Sequence, residues 1–377
     1  MMTVSKSFGR PTMAEIDLRS LAFNYRQLKK RLPKGVKLLG VVKADAYGHG
    51  AIPISLKLEK LGVEYLGVDM AEEGVELRKG GVKAPILILG GIYSGDMDRI
   101  FRFHLTPVVF HKDSLQLLSQ EAEKRKREIR IHLKVDTGMG RLGVPLNLWP
   151  TFLKELRKFP KIEIEGILSH FCMADEEESF TTHQWREFQE AVALAKEMGI
   201  SYKYLHIANS ATLIAFPSYL GNLVRPGIML YGAYPSLTFQ DLIQLKPVMT
   251  LKTRIHFLKS VPSGTRISYG GTFVTKRESL IATLPIGYAD GYSRHLSGQG
   301  EVLIRGKRAS IVGKVCMDFV MADVTEIPNV SLGDEVILMG KQGKEQITAE
   351  EIAEKINSIS YEVLCLIGKR VPRIYKE

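Results

Sequence analysis

Between residues 37 and 231 short apolar runs alternate with amphipathic stretches of helical period. The runs fall at 38–42, 65–68, 86–89, 106–109, 129–135, 162–169, 204–207 and 223–230. Helix-like stretches at 52–61, 71–79, 114–124, 149–159 and 183–198 lie between most of them. Parallel strands covered on both faces read as continuous apolar runs, and they are joined by helical crossovers. Eight strand–helix repeats in about 200 residues predict a (β/α)8 barrel of TIM type. An open doubly wound sheet would want a G-x-G-x-x-G turn after the first strand, and none is there. Upstream, 14–16 reads as a short strand, and Asp17 caps a helix to about Leu32 with Leu18, Leu21, Tyr25 and Leu28 at helical spacing. Residues 1–11 read as disordered.

After Tyr231 the texture changes. Pro235, Pro247, Pro262 and Pro285 punctuate β-type runs at 248–257, 280–284, 302–304, 309–312, 320–324 and 336–338. Thr348-Ala349-Glu350-Glu351 has the form of a capping box and opens one helix to about Ile356. The expectation is α/β plus β: a barrel over 1–240, of which 1–16 pair with the second domain, then a mostly β domain over 241–377.

Composition changes this picture little. A hydrophobic content of 45% in 377 residues fits a globular protein of two domains. Three widely spaced cysteines suggest neither a disulfide framework nor a metal site. No apolar segment follows Lys6 and no run of 18 apolar residues occurs, so neither a signal peptide nor a membrane span is expected. A reducing cytoplasm is the simplest compartment. The net charge of +11 invites nucleic acid, but runs such as Lys124-Arg125-Lys126-Arg127 lack aromatic interleaving and fall on outer helix faces. Attraction of anionic metabolites is the milder consequence.

The chemistry collects where barrel strands end, on the face where such barrels place their sites. Val41-Val42-Lys43-Ala44-Asp45-Ala46-Tyr47-Gly48-His49-Gly50 delivers an ammonium to a strand edge before a tight loop. A desolvated lysine there can lose its proton and form a Schiff base with an aldehyde cofactor. After the fifth strand, glycines in Lys134-Val135-Asp136-Thr137-Gly138-Met139-Gly140-Arg141-Leu142-Gly143 permit a turn that brings Lys134 and Arg141 together, which is unfavourable without an anion between them. His170 ends the sixth strand. Asn209-Ser210 opens a helix after the seventh, and Arg225-Pro226-Gly227-Ile228 follows the eighth, the usual position for a phosphate.

The first two strings closely resemble the alanine racemase family, although Asp45 stands where that family usually has Asn. The resemblance runs from Glu15 to Arg373. It implies a pyridoxal 5'-phosphate enzyme in which Lys43 carries the cofactor, His170 stacks on its ring, and Tyr47 and Tyr361 join Ser210, Gly227 and Ile228 at the phosphate. Arg225 would face the pyridine nitrogen. A guanidinium only donates, so the nitrogen stays unprotonated and the ring becomes a weak electron sink that favours reprotonation at Cα. Lys43 would serve one face of Cα. Tyr269, in Arg266-Ile267-Ser268-Tyr269-Gly270-Gly271-Thr272, would serve the other from the partner subunit of a head-to-tail homodimer, its proton loss eased by a neighbour such as His170. Tyr288 would narrow the entrance, and Arg141 and the backbone of Met317 would meet the substrate carboxylate. The lysine matching Lys134 is often carbamylated in that family. The implied activity is interconversion of L- and D-alanine, supplying D-alanine for peptidoglycan. The alternatives are a racemase of wider range acting on serine or lysine, a diamino-acid decarboxylase, a non-catalytic cofactor-binding protein and, last, a nucleic-acid binder.

Overall fold

A computed structural model describes residues 9–377. Of the stretch expected to be disordered, 1–8 lie outside the described residues. Arg10 is held, its guanidinium donating to both oxygens of the buried Asp290 at 2.9 and 2.8 Å. The chain divides into two compact units. One comprises Ala22–Leu230 with Tyr234–Leu245, and the other the described residues up to Leu21 with Tyr231–Ala233 and Lys246–Glu377.

The first unit is the barrel. Its strands are β2 (Lys37–Val41), β3 (Tyr65–Val68), β4 (Ile86–Ile88), β5 (Thr106–Val109), β6 (Ile129–Asp136), β8 (Ile162–Leu168), β9 (Tyr204–His206) and β10 (Leu223–Val224), with the short β7 (Val144–Pro145) beside β6. Pairing is parallel in the order β10-β2-β3-β4-β5-β6-β8-β9. The last gap is bridged where Asn222 N donates to Leu205 O at 2.9 Å and Arg225 N to Ala208 O at 3.0 Å. Every residue of β3, β4 and β5 is buried, as continuous apolar runs require. Leu39, Val41, Tyr65, Leu87, Val108, Leu168, Tyr204 and Leu223 pack into one core cluster. Truncating such a leucine to alanine costs about 2–5 kcal/mol.

The eighth run, expected as a strand over 223–230, is a strand only at Leu223–Val224 and closes as a 3-10 turn at Ile228–Tyr231. Pro226 offers no N–H to a ladder, so the apolar residues beyond it are buried by turning.

In the second unit β1 (Met13–Asp17) lies between β11 (Met249–Arg254), antiparallel, and β21 (Arg373–Lys376), parallel. β16 (Glu301–Ile304), β17 (Lys307–Ser310), β19 (Glu335–Gln342) and β20 (Glu345–Ile347) complete that sheet. β12 (Phe257–Val261), β15 (Ser279–Leu284) and β18 (Val320–Asp323) form a second sheet, and β13 (Arg266–Ile267) with β14 (Phe273–Val274) a hairpin. The run expected as one strand over 248–257 is thus two. Ile255 N donates to Asp334 O and His256 N to Thr283 O, so the chain changes sheets between adjacent residues. Asp17 caps the helix Leu18–Lys30 through bonds from Arg19 N and Ser20 N, and Thr348 caps Ala349–Lys355 through Glu351 N.

Candidate active site

Lys43 leaves the C-terminal edge of β2 into a turn of opposite hand. Ala44, Asp45, Ala46 and Tyr47 have φ of 52, 53, 54 and 54°. Non-glycine residues occupy this left-handed region at a cost of about 1–2 kcal/mol each, and four in succession persist only if tied down. The ties are visible. Asp45 Oδ1 accepts from Ala51 N at 2.7 Å, so this carboxylate caps the next helix, Ala51–Lys60. Glu73 Oε1 accepts from Ala44 N at 2.6 Å, while its Oε2 accepts from Asp69 N at 2.7 Å. Asp69 in turn pairs with Lys43 Nζ at 3.0 Å. The expectation of a desolvated lysine is corrected here: the Lys43 side chain is 37% exposed and ion-paired, because the turn holds it at the rim rather than in the core.

Below the rim lies Arg225, 4% exposed. Its Nη1 donates to His206 Nδ1 at 3.0 Å, and its Nη2 to Ser169 O, His170 Nδ1 and Ile207 O at 2.7, 3.0 and 3.1 Å. These acceptors are carbonyls and neutral imidazoles, not carboxylates. Burial lowers the Arg225 pKa to about 9, which leaves it charged at neutral pH. Lys134 is 6% exposed, and burial, then Arg225 and Arg141, bring it down to about 8. His170 is held well below its ordinary value by burial and then by Arg225, Lys134, Arg141 and Lys43, so it is neutral. Four cations therefore act on one histidine, and the mouth is built for an anion. The turn carrying Arg141 folds around Asp136, whose carboxylate accepts from the N–H groups of Gly138, Met139 and Gly140.

The anion has a cradle. Ser210 Oγ accepts from Gly227 N at 3.0 Å, leaving its own proton for a ligand. A Cβ on Gly227 would fall 2.3 Å from the Tyr47 hydroxyl, so glycine here lets that hydroxyl approach the backbone. Ile228 follows, fully buried. Asn209 caps the short helix Ser210–Ala215 through Thr212 N and donates to Phe171 O at 3.2 Å. Hydroxyls and a backbone that can be approached closely fit a phosphate ester. Lys43, Tyr47, Lys134, Arg141, His170, Ser210, Arg225, Gly227 and Ile228 thus all belong to the barrel unit.

Tyr269, Tyr288, Met317 and Tyr361 belong to the second unit. Tyr269 is 72% exposed, at a turn where Ser268 takes φ 65° and bonds Lys314 O at 2.7 Å. The Met317 loop is clamped to the turn holding Tyr288: Tyr288 N donates to Cys316 O at 3.0 Å and Ala289 N to Met317 O at 3.1 Å. A Cβ on Gly287 would strike both carbonyl oxygens at 2.3 Å. Tyr361 lies in the first turn of the helix Ser360–Leu366.

Against known proteins, the family model for the alanine racemase N-terminal domain matches residues 16–235, and that for the C-terminal domain matches 248–375. The chain belongs to the alanine racemase family. It is 49% identical over 374 residues to the alanine racemase of Halothermothrix orenii, covering 99% of each chain, and 46% identical to that of Geobacter sulfurreducens, covering 97% of each. Among solved structures it resembles the alanine racemase of Clostridium difficile (TM-score 0.92, 38% identity, 100% of this chain and 97% of that one). It also resembles that of Bacillus anthracis with bound L-Ala-P (TM-score 0.92, 38% identity, 98% and 96%). Enzymes of this family depend on pyridoxal phosphate, and the cradle with its cationic surround suits that group. Among the described residues no helix is long and apolar enough to cross a membrane.

Sequence reasoning missed Asp69, Glu73 and His206. Asp69 was findable, since it directly follows the run 65–68 at the same barrel edge as Lys43. Met70-x-x-Glu73 has the spacing of a helix start, which hides the reach of Glu73 to Ala44.

Proposed function

We propose that this chain interconverts L- and D-alanine at the barrel mouth, with Lys43 and Tyr269 as the two proton-transferring groups and pyridoxal 5'-phosphate as cofactor. The observation that carries the reading is the meeting, at one mouth, of Lys43, the Tyr47–Ser210–Gly227 cradle and a buried guanidinium whose acceptors are all uncharged. When bound, the cofactor supplies an electron sink that acidifies the substrate Cα–H.

The protein's part follows from its groups. Tyr47, Ser210, Gly227, Ile228 and Tyr361 would hold the phosphate, and His170 would lie against the ring. Arg225 can only donate, so it would hold the ring nitrogen as an acceptor, which would keep the sink shallow and disfavour side reactions. Arg141 and the Met317 backbone position the substrate carboxylate, and Tyr288 narrows the entrance. Lys134, poised near pH 8, is amine enough at neutral pH to take up carbon dioxide, and the carbamate would oppose Arg141.

Inverting Cα requires a proton to leave one face and another to arrive on the opposite face. Lys43 Nζ serves one. Tyr269 serves the other, donated across a head-to-tail homodimer. Its exposure, in a surface hollow that it lines with the exposed Phe319, supports a surface that a second copy covers. Three free cysteines suit a reducing cytoplasm, where D-alanine would feed peptidoglycan synthesis.

The test is proton abstraction from each enantiomer in deuterated water. Lys43→Ala should abolish abstraction from one enantiomer, and Tyr269→Phe should impair mainly the other. Equal loss from both enantiomers in either variant would refute two one-face bases.

A further inference from the structure

Below Arg225 a line of buried ionisable groups continues from its acceptor His206 into the barrel. His206 and His132 have no exposed surface, Tyr65 is 3% and Glu165 8% exposed. The contacts run in sequence. Arg225 Nη1 meets His206 Nδ1 at 3.0 Å, and His206 Nε2 meets His132 Nδ1 at 2.7 Å. His132 Nε2, buried and without a hydrogen-bond partner among the described residues, points at Glu165 Oε2 from 3.6 Å, just beyond hydrogen-bond distance, and Tyr65 donates to that same oxygen at 2.5 Å.

We propose that Glu165, acting through His132 and His206, is a positioning residue for Arg225, at the end of a one-way chain of hydrogen-bond donors that starts at the guanidinium. The direction follows from valence. Arginine cannot accept, so His206 Nδ1 must, and a neutral imidazole then carries its proton on Nε2. That proton goes to His132 Nδ1, which places the His132 proton on Nε2, aimed at the carboxylate. Both rings are neutral: burial first, then nearby Arg225, keeps His206 well below its ordinary pKa, and burial lowers His132. Burial opposes ionisation of Glu165, but its contacts with His132 and Tyr65 outweigh this and hold it below the usual carboxylate value.

The surroundings are shaped to this line. A Cβ on Gly166 would fall 2.5 Å from His132 Nδ1, so glycine makes room for the ring. The β6–β8 ladder shifts register between Ile131 and His132, where the ring stands. Tyr204 stacks on it at 6.0 Å and 21°, and Tyr65 meets it edge-on at 5.8 Å and 71°. Each imidazole pulled by an acceptor beyond it accepts more strongly in turn, so an anion at the far end tightens the hold on Arg225 Nη1. Its benefit to catalysis rests on the reading that Arg225 faces the ring nitrogen.

Neutron diffraction from deuterium-exchanged holoenzyme crystals reads the protons directly. Deuterium is expected on Nε2 and not Nδ1 of both His206 and His132, and deuterium on Nδ1 of either would overturn the proposal. Glu165→Gln keeps the shape and removes the charge. The holoenzyme should lose about tenfold in kcat with KM within about twofold, as outer partners of a site typically do, and its cofactor absorption band should shift. Wild-type kcat and spectrum in that variant would equally overturn it, and if the variant does not fold the neutron result still decides. An Arg225→Lys holoenzyme with wild-type rate and spectrum would instead defeat the assignment of Arg225 to the ring nitrogen, whatever the tautomers.

Discussion

Replacing Glu73 tests what holds Lys43 in place. Its carboxylate accepts three backbone N–H groups, from Ala44 at 2.6 Å on one oxygen and from Asp69 at 2.7 Å and Met70 at 3.2 Å on the other. Charge-assisted bonds of this kind are worth about 1.5–3 kcal/mol when buried, and roughly 1 kcal/mol each at this half-buried site. Glu73→Ala should therefore cost about 2–3 kcal/mol. Glu73→Gln has a single acceptor oxygen and must give up either Ala44 or the Asp69–Met70 pair, so about 1 kcal/mol is expected. Because Asp69 is the ion partner of Lys43, both tethers of the lysine loosen together. The assay is urea unfolding of the holoenzyme beside its rate of D-alanine formation. The alanine variant should lose kcat under conditions where it remains fully folded, and the glutamine variant should fall between it and wild type. Wild-type kcat for Glu73→Ala, or equal damage from both variants, would refute this reasoning.

Two further outcomes are expected. Ala44→Gly at φ 52° relieves left-handed strain of about 1 kcal/mol and loses about 0.5–1 kcal/mol to unfolded-chain entropy. The variant should thus be no less stable than wild type, and a thermal melt showing a loss beyond about 1 kcal/mol, usual for alanine to glycine in a right-handed helix, would contradict the turn. Lys134 binds its proton less tightly folded, near pH 8, than unfolded, near 10.5, so its burial penalty is complete below pH 8 and is relieved as pH rises toward 10.5. In carbon-dioxide-free buffer, where Lys134 is the free amine, Lys134→Met should gain up to about 3 kcal/mol at pH 7, with the gain vanishing near pH 10.5. A variant less stable than wild type at pH 7 would mean that the group is the carbamate and not the ammonium.

The barrel was legible because each apolar run also dictates where a polar residue must emerge. Lys43 stands just past such a run and Arg225 just past the strand Leu223–Val224, and the structure places both at the mouth. Three features left no comparable trace. The sheet change at Ile255–His256 depends on acceptors at Asp334 and Thr283, far away in sequence. The apolar residues after Pro226 satisfy a buried 3-10 turn as well as a strand, and periodicity cannot separate them. The left-handed turn at 44–47 contains no glycine, so it is imposed by Asp45, Glu73 and their partners against local preference. The line from His206 to Glu165 was hidden for a related reason, since histidines within apolar strands do not reveal which neighbour they face.

The strand Met13–Asp17 has a bearing on biosynthesis. It sits inside the large sheet, with Ala14 opposite Leu251 on one side and Arg373 on the other. A ribosome adding about 5–20 residues per second releases this strand tens of seconds before its last neighbour exists. Until then the edge that faces Arg373–Lys376 has nothing to pair with, although Met249–Arg254 can already cover the other. The barrel segment can fold during synthesis, whereas the sheet can be completed only once Arg373–Lys376 has been made. A nascent chain stalled before Arg373 would expose an open strand edge, the surface most prone to join that of another chain.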